Sequence, residues 1–315
     1  VTSIYQDEFG IIWIGTKDGL NRYNGTDFYV FRPVKGDKNS LYNNNIGTIC
    51  GDKQGHIYIR CKYAVVEYDI KKNTFHTIRD NDIQAITYDN ARLWVCTRDS
   101  LFTYNRVEDR LDYYYNLEGV RMSCVTEDSA GNLYVGTMNN GLYMIDHNKK
   151  WLNYFPKKDI TCIYEDSKKS IWVGTKDDGL FRLDRNGGIT NYGTAPHQNM
   201  LSSSYVRCVV EDNLGNYWIG TFKGLDKLDV TTGTFTHYSK DNKPYSLSNS
   251  SIICMMKDRQ GTFWIGTYYG GVNLFNPDYE IYTYYYPDES QKGKLTSPFA
   301  GRMTEDSNGG IWIAT

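Results

Sequence analysis

A single motif recurs along the chain and limits its fold more than any other feature of the sequence. It first reads "DEFGIIWIGTKDGLNRYN", from Asp7 to Asn24, and combines an acidic turn, an aromatic residue, a Gly-Thr pair and a Gly-Leu pair. Close copies begin at Asp128, Asp166, Asp212 and Asp258, divergent copies at Asp52 and Asp89, and a half-copy at Asp306. A repeat at a fixed period defines the architecture of a whole chain, so each copy should build one structural unit.

The period of the motif fits the blade of a β-propeller. Its aromatic residues are spaced by 45, 36, 40, 38, 46, 46 and 48 residues, and a four-stranded blade takes about 40–45. We assign these aromatics to packing within the second strand of each repeat, and they are Trp13, Tyr58, Trp94, Tyr134, Trp172, Trp218, Trp264 and Trp312. Short alternating runs broken by Asn, Asp and Gly favour strands and turns. The sequence therefore predicts an all-β fold: a seven-bladed β-propeller of four-stranded antiparallel blades, plus a surplus half-blade at the C-terminus.

The repeats also predict the domain boundaries. A propeller domain should span residues 1–295, and residues 296–315 should supply the first two strands of a further repeat, the start of a second propeller. The seven blades are expected near residues 1–34, 35–79, 80–115, 116–155, 156–193, 194–239 and 240–287. On this interpretation the chain is a piece of a longer protein. A ring of eight blades with the last one incomplete is the alternative.

Composition narrows the class of protein. A net charge of -2 and a hydrophobic content of 40 % are typical of a soluble globular protein. No basic patch indicates nucleic acid, and no apolar run of about 18 residues or more indicates membrane contact by this fragment. Seven cysteines, an odd number, do not suit a disulfide framework. Four of them precede the repeat acid by four residues and are interpreted as buried small side chains, with a metal or redox role as the alternative; they are Cys124, Cys162, Cys208 and Cys254.

The sequence offers little support for an enzyme. Its five histidines fall at a turn, on outer strands, in an outer hairpin and in a loop between blades, so they do not converge on the channel; they are His56, His76, His147, His197 and His237. No Gly-rich phosphate loop or nucleophile elbow is present, and the Asp-rich loops are too short to supply the six to eight oxygens that calcium takes. We predict no catalytic residue, no metal and no cofactor. A propeller lyase or hydrolase that uses unpatterned rim residues stays open.

Candidate ligand residues follow from the loops. In a propeller, the inter-blade loops and the turns between the second and third strands lie on one face, around the mouth of the channel. The loops that lead into the second, sixth, seventh and eighth repeats are long, which predicts an asymmetric rim. In the divergent second and third blades the Gly-Thr pair is replaced, and charged and aromatic residues cluster there: Arg60, Lys62, Tyr63, Arg98 and Asp99. Tyr268 and Tyr269 form a second candidate for stacking on a sugar ring. The alternative for any one of these residues is that it has no ligand: the divergent repeats would then be packing variants, with their charged side chains in solvent.

The repeat resembles the two-component regulator propeller repeat. The copy "DSKKSIWVGTKDDGLFRLD", from Asp166 to Asp184, matches that pattern nearly throughout. The resemblance extends over essentially the whole chain, although it is weak over Asp52–Asp69 and Asp89–Asn105. Eight copies in register make the signal specific.

The resemblance implies a function and a set of partners. In that family, two seven-bladed propellers precede an immunoglobulin-like domain, a membrane helix and a histidine kinase core. The chain would then be the periplasmic, ligand-sensing region of a hybrid two-component sensor kinase. It would detect an oligosaccharide and control polysaccharide-utilisation genes through output domains absent here.

Its partners would be the second propeller and the immunoglobulin-like domain of the same chain, and homodimerisation is expected. The fragment itself would not be an enzyme, whereas the full-length protein would be a histidine kinase. A protein-interaction propeller or scaffold without a small-molecule site is the main alternative.

Overall fold

The computed structural model describes residues 1–193, 200–241, 246–277, 302–307 and 311–314. It contains two compact units, Val1–Phe275 and Asn276–Thr315. The predicted boundary between residues 295 and 296 lies outside the described residues, and it stays a prediction.

The first unit is a β-propeller in which each blade is an antiparallel sheet with its strands in sequence order. Blades 1 to 3 contain β1 (Ser3–Gln6), β2 (Ile12–Thr16), β3 (Gly19–Tyr23), β4 (Phe28–Phe31), β5 (Ile46–Gly51), β6 (His56–Cys61), β7 (Ala64–Asp69), β8 (Thr74–Arg79), β9 (Ala85–Asp89), β10 (Arg92–Cys96), β11 (Ser100–Asn105) and β12 (Arg110–Asn116). Blades 4 and 5 contain β13 (Met122–Glu127), β14 (Leu133–Thr137), β15 (Leu142–Ile145), β16 (Trp151–Tyr154), β17 (Ile160–Glu165), β18 (Ile171–Thr175), β19 (Leu180–Leu183) and β20 (Ile189–Tyr192). Blades 6 and 7 contain β21 (Val206–Glu211), β22 (Tyr217–Thr221), β23 (Leu225–Leu228), β24 (Phe235–Tyr238), β25 (Ile252–Lys257), β26 (Phe263–Thr267) and β27 (Gly271–Phe275). The predicted fourth strand of blade 7 falls outside the described residues.

Seven apolar clusters lie between neighbouring blades and close them into a ring. Six clusters join blades that are consecutive in sequence, and the seventh joins blade 7 to blade 1 through Trp264 and Ile12. Arg259 of blade 7 adds to this closing junction, because its guanidinium donates to the carbonyls of Asp7 and Glu8 at 2.6 and 2.9 Å. Blade 1 therefore packs directly against blade 7 without sharing strands. The predicted all-β ring of seven blades is confirmed, and the alternative of eight blades is wrong.

The acid of the motif both forms a turn and binds the motif's tryptophan. In blade 5, Asp166 Oδ1 accepts hydrogen bonds from the backbone N–H groups of Lys168 and Ser170 at 2.9 and 2.8 Å. Its Oδ2 accepts from Trp172 Nε1 at 2.9 Å and from Tyr217 Oη of blade 6 at 2.7 Å. The same indole-to-carboxylate bond joins Trp13 to Asp7, Trp218 to Asp212, Trp264 to Asp258 and Trp312 to Asp306. The sequence analysis gave this acid a turn role only, so the buried bond is an additional finding.

In the divergent third blade, the tryptophan indole bonds to a different carboxylate. Its turn has two residues, Asn90 and Ala91, with φ of 46° and 61°, the left-handed values that a two-residue hairpin turn requires. The shorter turn moves Trp94 one residue closer to the turn's acid. Its indole Nε1 instead donates to Glu127 Oε2 of blade 4 at 2.7 Å. The divergent motif of blade 3 therefore keeps a buried hydrogen bond from its tryptophan, with a carboxylate of the next blade as the acceptor.

The Gly of the Gly-Thr pair allows neighbouring blades to approach closely. A Cβ at Gly174 would lie 2.9 Å from Val206 Cγ1 of the next blade and 2.5 Å from Cys162 Sγ of the same blade. The register places the four predicted cysteines opposite this Gly, in the pairs Cys124–Gly136, Cys162–Gly174, Cys208–Gly220 and Cys254–Gly266. All seven cysteines are free, and burial raises the pKa of the Cys162 thiol to about 12. Their interpretation as buried small side chains fits this packing.

Blades are also joined by hydrogen bonds on the face that carries the D-x-x-G turns. Glu211 of blade 6 accepts from both the backbone N–H and the hydroxyl of Ser167 in blade 5, each at 2.7 Å. In blade 2 the equivalent position is Gly51, which has no side chain to make this bond. Both carboxylate oxygens of Glu8 in blade 1 are buried there without a hydrogen-bond partner in the described structure. The junction of blades 1 and 2 therefore lacks a cross-link that other junctions possess.

The second unit contains the start of a further repeat. Its described strands β28 (Met303–Glu305) and β29 (Ile311–Ile313) pair antiparallel. The Trp312 indole donates to Asp306 Oδ2 at 2.9 Å, as in the complete blades. This unit thus contains the two strands that the half-copy of the motif predicts.

Candidate functional site

The inter-blade loops and the turns between the second and third strands meet on one face of the ring. The residue after the second strand donates its backbone N–H to the carbonyl of the residue before the first strand. These bonds are Lys62–Asn45 (2.7 Å), Met138–Arg121 (2.8 Å), Lys176–Asp159 (3.1 Å), Phe222–Tyr205 (3.0 Å) and Tyr268–Ser251 (2.9 Å). In blade 3, the N–H of Arg98 donates instead to Asp82 Oδ2 at 3.3 Å. Both sets of side chains therefore surround the mouth of the channel, which we take as the candidate ligand site.

A β-bulge at the start of the first strand adds a third set of side chains. The pairing register shifts by one residue there in blades 2, 4, 5, 6 and 7. The bulged side chain reaches the next blade: Ser123 Oγ donates to the Ile160 carbonyl at 2.7 Å, and Arg207 Nη1 donates to the Ile252 carbonyl at 3.0 Å. In blade 2 the bulged residue is Gly47. The bulge thus directs the side chains of Ser123 and Arg207 toward the first strand of the next blade.

The blade 6 and 7 side of the mouth is aromatic. The rings of Tyr205 and Phe222 lie nearly parallel, with 15° between their planes and 6.2 Å between their centroids. The Arg207 guanidinium lies 4.5 Å from the Tyr205 centroid and 5.2 Å from that of Phe222. Tyr268 and Tyr269 meet edge to face at 4.3 Å. Phe222 and Tyr269 are 51 % and 84 % exposed, so ring surface is available to a ligand.

The charge of Arg207 also acts on the second aromatic pair. A hydrogen bond with Tyr269 raises the pKa of the Tyr268 hydroxyl, and the positive charge of Arg207 opposes this rise. Arg207 is held in place by Ser251 Oγ of blade 7, to which its Nη1 donates at 2.9 Å. Aromatic ring surface beside a fixed hydrogen-bond donor is an arrangement that suits an amphipathic ligand such as a sugar.

The blade 2 side of the mouth is basic. Arg60 occupies the position that is Gly in the close copies, and its side chain lies over the backbone of Gly47. Its Nη1 donates to the Lys62 carbonyl at 2.9 Å, and burial lowers the pKa of its guanidinium. Lys62 Nζ lies 5.9 Å from the ring centroid of Tyr63, which is 52 % exposed. The structure therefore brings three of the predicted residues together at one blade.

Arg98 and Asp99 extend this side into blade 3 with different surroundings. The Arg98 side chain is exposed, and its carbonyl accepts the N–H of Met122 at 2.9 Å. Asp99 Oδ1 accepts from Ser100 Oγ at 2.9 Å, and its carbonyl accepts from Leu117 N–H at 2.7 Å. The Arg98 side chain is therefore accessible to a ligand, whereas the Asp99 carboxylate forms a hydrogen bond within the turn that contains it. Ligand binding by either residue stays a prediction.

Tyr205, Arg207 and Phe222 are the mouth residues that the sequence analysis missed. The residue that follows the Gly-Thr pair, or the two residues that replace it, is Lys17, Lys62, Arg98, Met138, Lys176, Phe222 or Tyr268. Aligning this one position would have shown aromatic residues in blades 6 and 7 and basic residues in blades 1 to 3. The direction of Arg207 depends on the bulge, which leaves no signal in the sequence.

The long loop into blade 2 follows an outer strand for part of its course. In the loop into blade 2, the Asn39 carbonyl accepts from Phe75 N–H on the outer strand at 2.9 Å, and Leu41 is buried. Only the end of this loop reaches the mouth, where the Asn44 carbonyl accepts from Gly19 N–H at 2.8 Å. Much of the other three long loops lies outside the described residues, so the predicted asymmetric rim stays a prediction.

The described histidines and cavities lie away from the mouth. His56, His76 and His237 pair with Asp52, Asp109 and Asp226 at 2.5, 2.8 and 2.7 Å. Cavities of about 360 and 260 Å³ are lined by residues of outer strands, outer hairpins and D-x-x-G turns, and one of about 580 Å³ lies between the loop into blade 2 and the outer strand β8. Within the described residues, no group of three or more His, Cys, Asp or Glu side chains could hold a metal.

Comparison with known sequences finds a family model that matches parts of the chain. The sequence model of the two-component regulator propeller family matches residues 1–18, 154–177, 200–223 and 246–269. No curated protein matches the chain. In the part of the chain that the structure describes, no helix has the length and apolar character needed to cross a bilayer.

Comparison with solved structures supports the same fold. The extracellular domain of the hybrid two-component system BT3049 of B. thetaiotaomicron is 25 % identical, with a TM-score of 0.78 over 100 % of this chain and 45 % of that one. The extracellular domain of BT4673 from the same organism is 21 % identical, with a TM-score of 0.71 over 100 % of this chain and 49 % of that one. Virginiamycin B lyase of Staphylococcus aureus is 13 % identical, with a TM-score of 0.68 over 86 % and 92 %, and it shows the fold alone. The chain thus spans about half the length of the two B. thetaiotaomicron domains.

Proposed function

We propose that the chain is built from two-component regulator propeller repeats and is the ligand-binding part of an extracytoplasmic sensor. Its similarity to the extracellular domain of a hybrid two-component system supports this role and this location. The full-length protein would be a periplasmic-sensing hybrid histidine kinase, and this fragment would not itself be an enzyme. A second propeller and an immunoglobulin-like domain of the same chain would be its partners, and the sensor would work as a homodimer.

The ligand we propose is an oligosaccharide bound at the mouth of the channel. The observation that carries this proposal is the parallel Tyr205–Phe222 pair with Arg207 fixed beside it. An aromatic face covers the C–H surface of a sugar ring, while a fixed guanidinium donates to its hydroxyl groups. Binding would be passed to output domains that control polysaccharide-utilisation genes.

A role as a protein-interaction propeller is the second candidate. The outer strand of blade 1 exposes Phe28, Tyr29 and Val30 to solvent by 60 %, 57 % and 38 %. Such an exposed apolar edge suits a protein partner. A propeller lyase or hydrolase is the third candidate, and formation of cleaved product from a polysaccharide panel would identify it.

The aromatic side of the mouth gives a direct test. In isothermal titration of the chain with neutral and acidic oligosaccharides, we expect Phe222→Ala and Tyr268→Ala each to weaken binding by about tenfold, because each removes an exposed stacking surface. Leu214→Ala is the matched control, since Leu214 is 72 % exposed but lies in the D-x-x-G turn of blade 6. Binding that both mouth variants leave unchanged would place the ligand elsewhere. Absence of binding by the folded chain would favour a scaffold.

A further inference from the structure

Arg60 is a charged side chain whose charge nothing nearby neutralises. Its Nε is buried without a hydrogen-bond partner in the described structure. Its one hydrogen bond there runs from Nη1 to a backbone carbonyl, and no described carboxylate lies within ion-pair distance of it. Taking a charge out of water without a counter-charge costs several kcal/mol. A half-buried arginine left in this state suggests that its partner is supplied from outside the chain.

Packing gives no reason for an arginine at this position. The equivalent residue is Gly15, Gly136, Gly174, Gly220 or Gly266 in the other blades and Cys96 in blade 3. Arg60 fits because the bulged residue beneath it is Gly47, where other blades carry a side chain. Two departures from the repeat, one on each of two paired strands, thus combine to place a guanidinium at the mouth. A small apolar residue would fill the same space without burying a charge.

The surroundings of Arg60 add further positive charge. Lys17, Lys62 and Arg98 follow the second strands of blades 1, 2 and 3, are exposed, and form no ion pair within the described residues. Of the carboxylates on this side, Asp18 pairs with Arg32 at 2.9 Å, whereas Asp82 and Asp99 accept hydrogen bonds from neutral groups. By contrast, Lys176 of blade 5 is paired, with Asp159 at 3.8 Å. On blades 1 to 3 the cations without an ion-pair partner therefore outnumber the carboxylates of the mouth, which leaves an excess of positive charge there.

Two further polar atoms without partners lie where blades 1 and 2 meet. Thr2 Oγ1 and Asn44 Oδ1 are both buried and make no hydrogen bond among the described residues. Thr2 lies beside Ile46 over Gly15, and Ile46 directly precedes Gly47, over which Arg60 lies. A hydroxyl and an amide oxygen without a partner thus lie at the junction of blades 1 and 2, beside the strand that carries Gly47.

We propose that Arg60 binds an oxyanion carried by the ligand, a carboxylate or a sulfate ester, at the blade 1–3 side of the channel mouth. The oxyanion accepts from Nη2, and Lys62 and Arg98 add to its attraction. Guanidinium suits this role because it stays charged and presents several donors in one plane. The inference deepens the proposed function, on which it rests for the glycan: the oligosaccharide would be acidic, a uronic acid or a sulfated sugar.

The test compares acidic, neutral and free anionic ligands on the whole chain. Titrations use sodium glucuronate, glucose, inorganic sulfate and oligomers of galacturonate, of sulfated galactose and of neutral galactose. We expect the acidic oligomers to bind at least about tenfold more tightly than the neutral one, and Arg60→Met to abolish the difference, because a hydrogen bond to a charged group is worth about 1.5–3 kcal/mol. Arg60→Lys should retain part of it. Arg32→Met is the control, since Arg32 is exposed and paired with Asp18. The better of the two acidic oligomers identifies the anion.

The outcomes separate this inference from the proposed function. Neutral and acidic oligomers that bind equally to the native chain and to Arg60→Met would overturn the oxyanion site and leave a glycan sensor. Free glucuronate or sulfate that binds through Arg60, with no oligomer bound, would support the site and overturn the oligosaccharide. A structural role is tested by thermal unfolding: removing an uncompensated charge should leave Tm unchanged or raise it. A large fall in Tm for Arg60→Met would overturn the proposal.

Discussion

Replacing Asp166 with alanine is expected to destabilise the propeller by at least about 3 kcal/mol, because each buried donor left unpaired costs about 1–3 kcal/mol. Asp166 is 2 % exposed and accepts from two backbone N–H groups, the Trp172 indole and the Tyr217 hydroxyl. Since Tyr217 belongs to blade 6, the variant weakens both the blade 5 turn and the junction of the two blades.

Urea unfolding followed by tryptophan fluorescence would measure this loss. Asp184→Ala is the matched control, because Asp184 is exposed but accepts from the backbone N–H groups of Asn186 and Gly188, each at 2.8 Å. The control removes an acid from a similar turn without touching a buried side chain, and we expect it to cost about 1 kcal/mol. Equal losses in the two variants would show that the tryptophan and tyrosine bonds add nothing to stability.

The same contacts predict how stability depends on pH. Burial opposes ionisation of Asp166, but hydrogen bonds from Trp172, Ser170, Tyr217 and Lys168 outweigh it and lower the pKa of the carboxyl below 3.8. A carboxylate whose pKa falls on folding contributes stability above its unfolded pKa and loses it as the pH falls through the folded pKa. The free energy of unfolding should therefore decrease below about pH 4, and less steeply in Asp166→Asn. Identical pH profiles for the two proteins would contradict this assignment.

The fold could be predicted because the repeats are similar enough for their period to be read from the sequence. Each copy carries the turn residues and apolar strands of one blade, so blade number and strand order follow from counting copies. The bond from the tryptophan to the acid could not be predicted, since the separation of six positions between Asp166 and Trp172 does not reveal that the hairpin brings the two side chains together. The Glu127 partner of Trp94 comes from the next blade, and only the closed ring makes that contact.

The candidate site could be predicted in outline but not in detail. Arg60, Lys62 and Tyr63 were found because they break the repeat, and the structure brings these three together. Arg207 was missed, because nothing in its sequence shows that a bulge turns it across the ring toward Phe222. Loop length was also a poor guide, since the long loop into blade 2 follows the outer strand for part of its course.

The packing of the Gly-Thr glycine yields the second large effect. Gly174→Cys is expected to destabilise the chain by about 3 kcal/mol, because overpacking a filled core costs about 1–3 kcal/mol and occasionally more. Even the first added atom would lie 2.5 Å from Cys162 Sγ and 2.9 Å from Val206 Cγ1. Gly193→Ala is the control, since its added Cβ would have 3.9 Å to its nearest neighbour. Urea unfolding of both variants would measure the difference.

Blade 3 shows how the chain itself accommodates a side chain at this position. There Cys96 replaces the glycine, Ala85 stands opposite it in place of a cysteine, and the next blade contributes unbranched Met122. Transferring all three residues to blade 5, as Cys162→Ala with Gly174→Cys and Val206→Met, should recover stability to within about 1.5 kcal/mol of the native chain, the usual limit for volume-conserving swaps. A triple variant as unstable as Gly174→Cys alone would mean that the glycine is required by the backbone of blade 5. Recovery would instead show that the three positions act as one packing unit, and that a divergent repeat in this ring is a coordinated exchange between two blades.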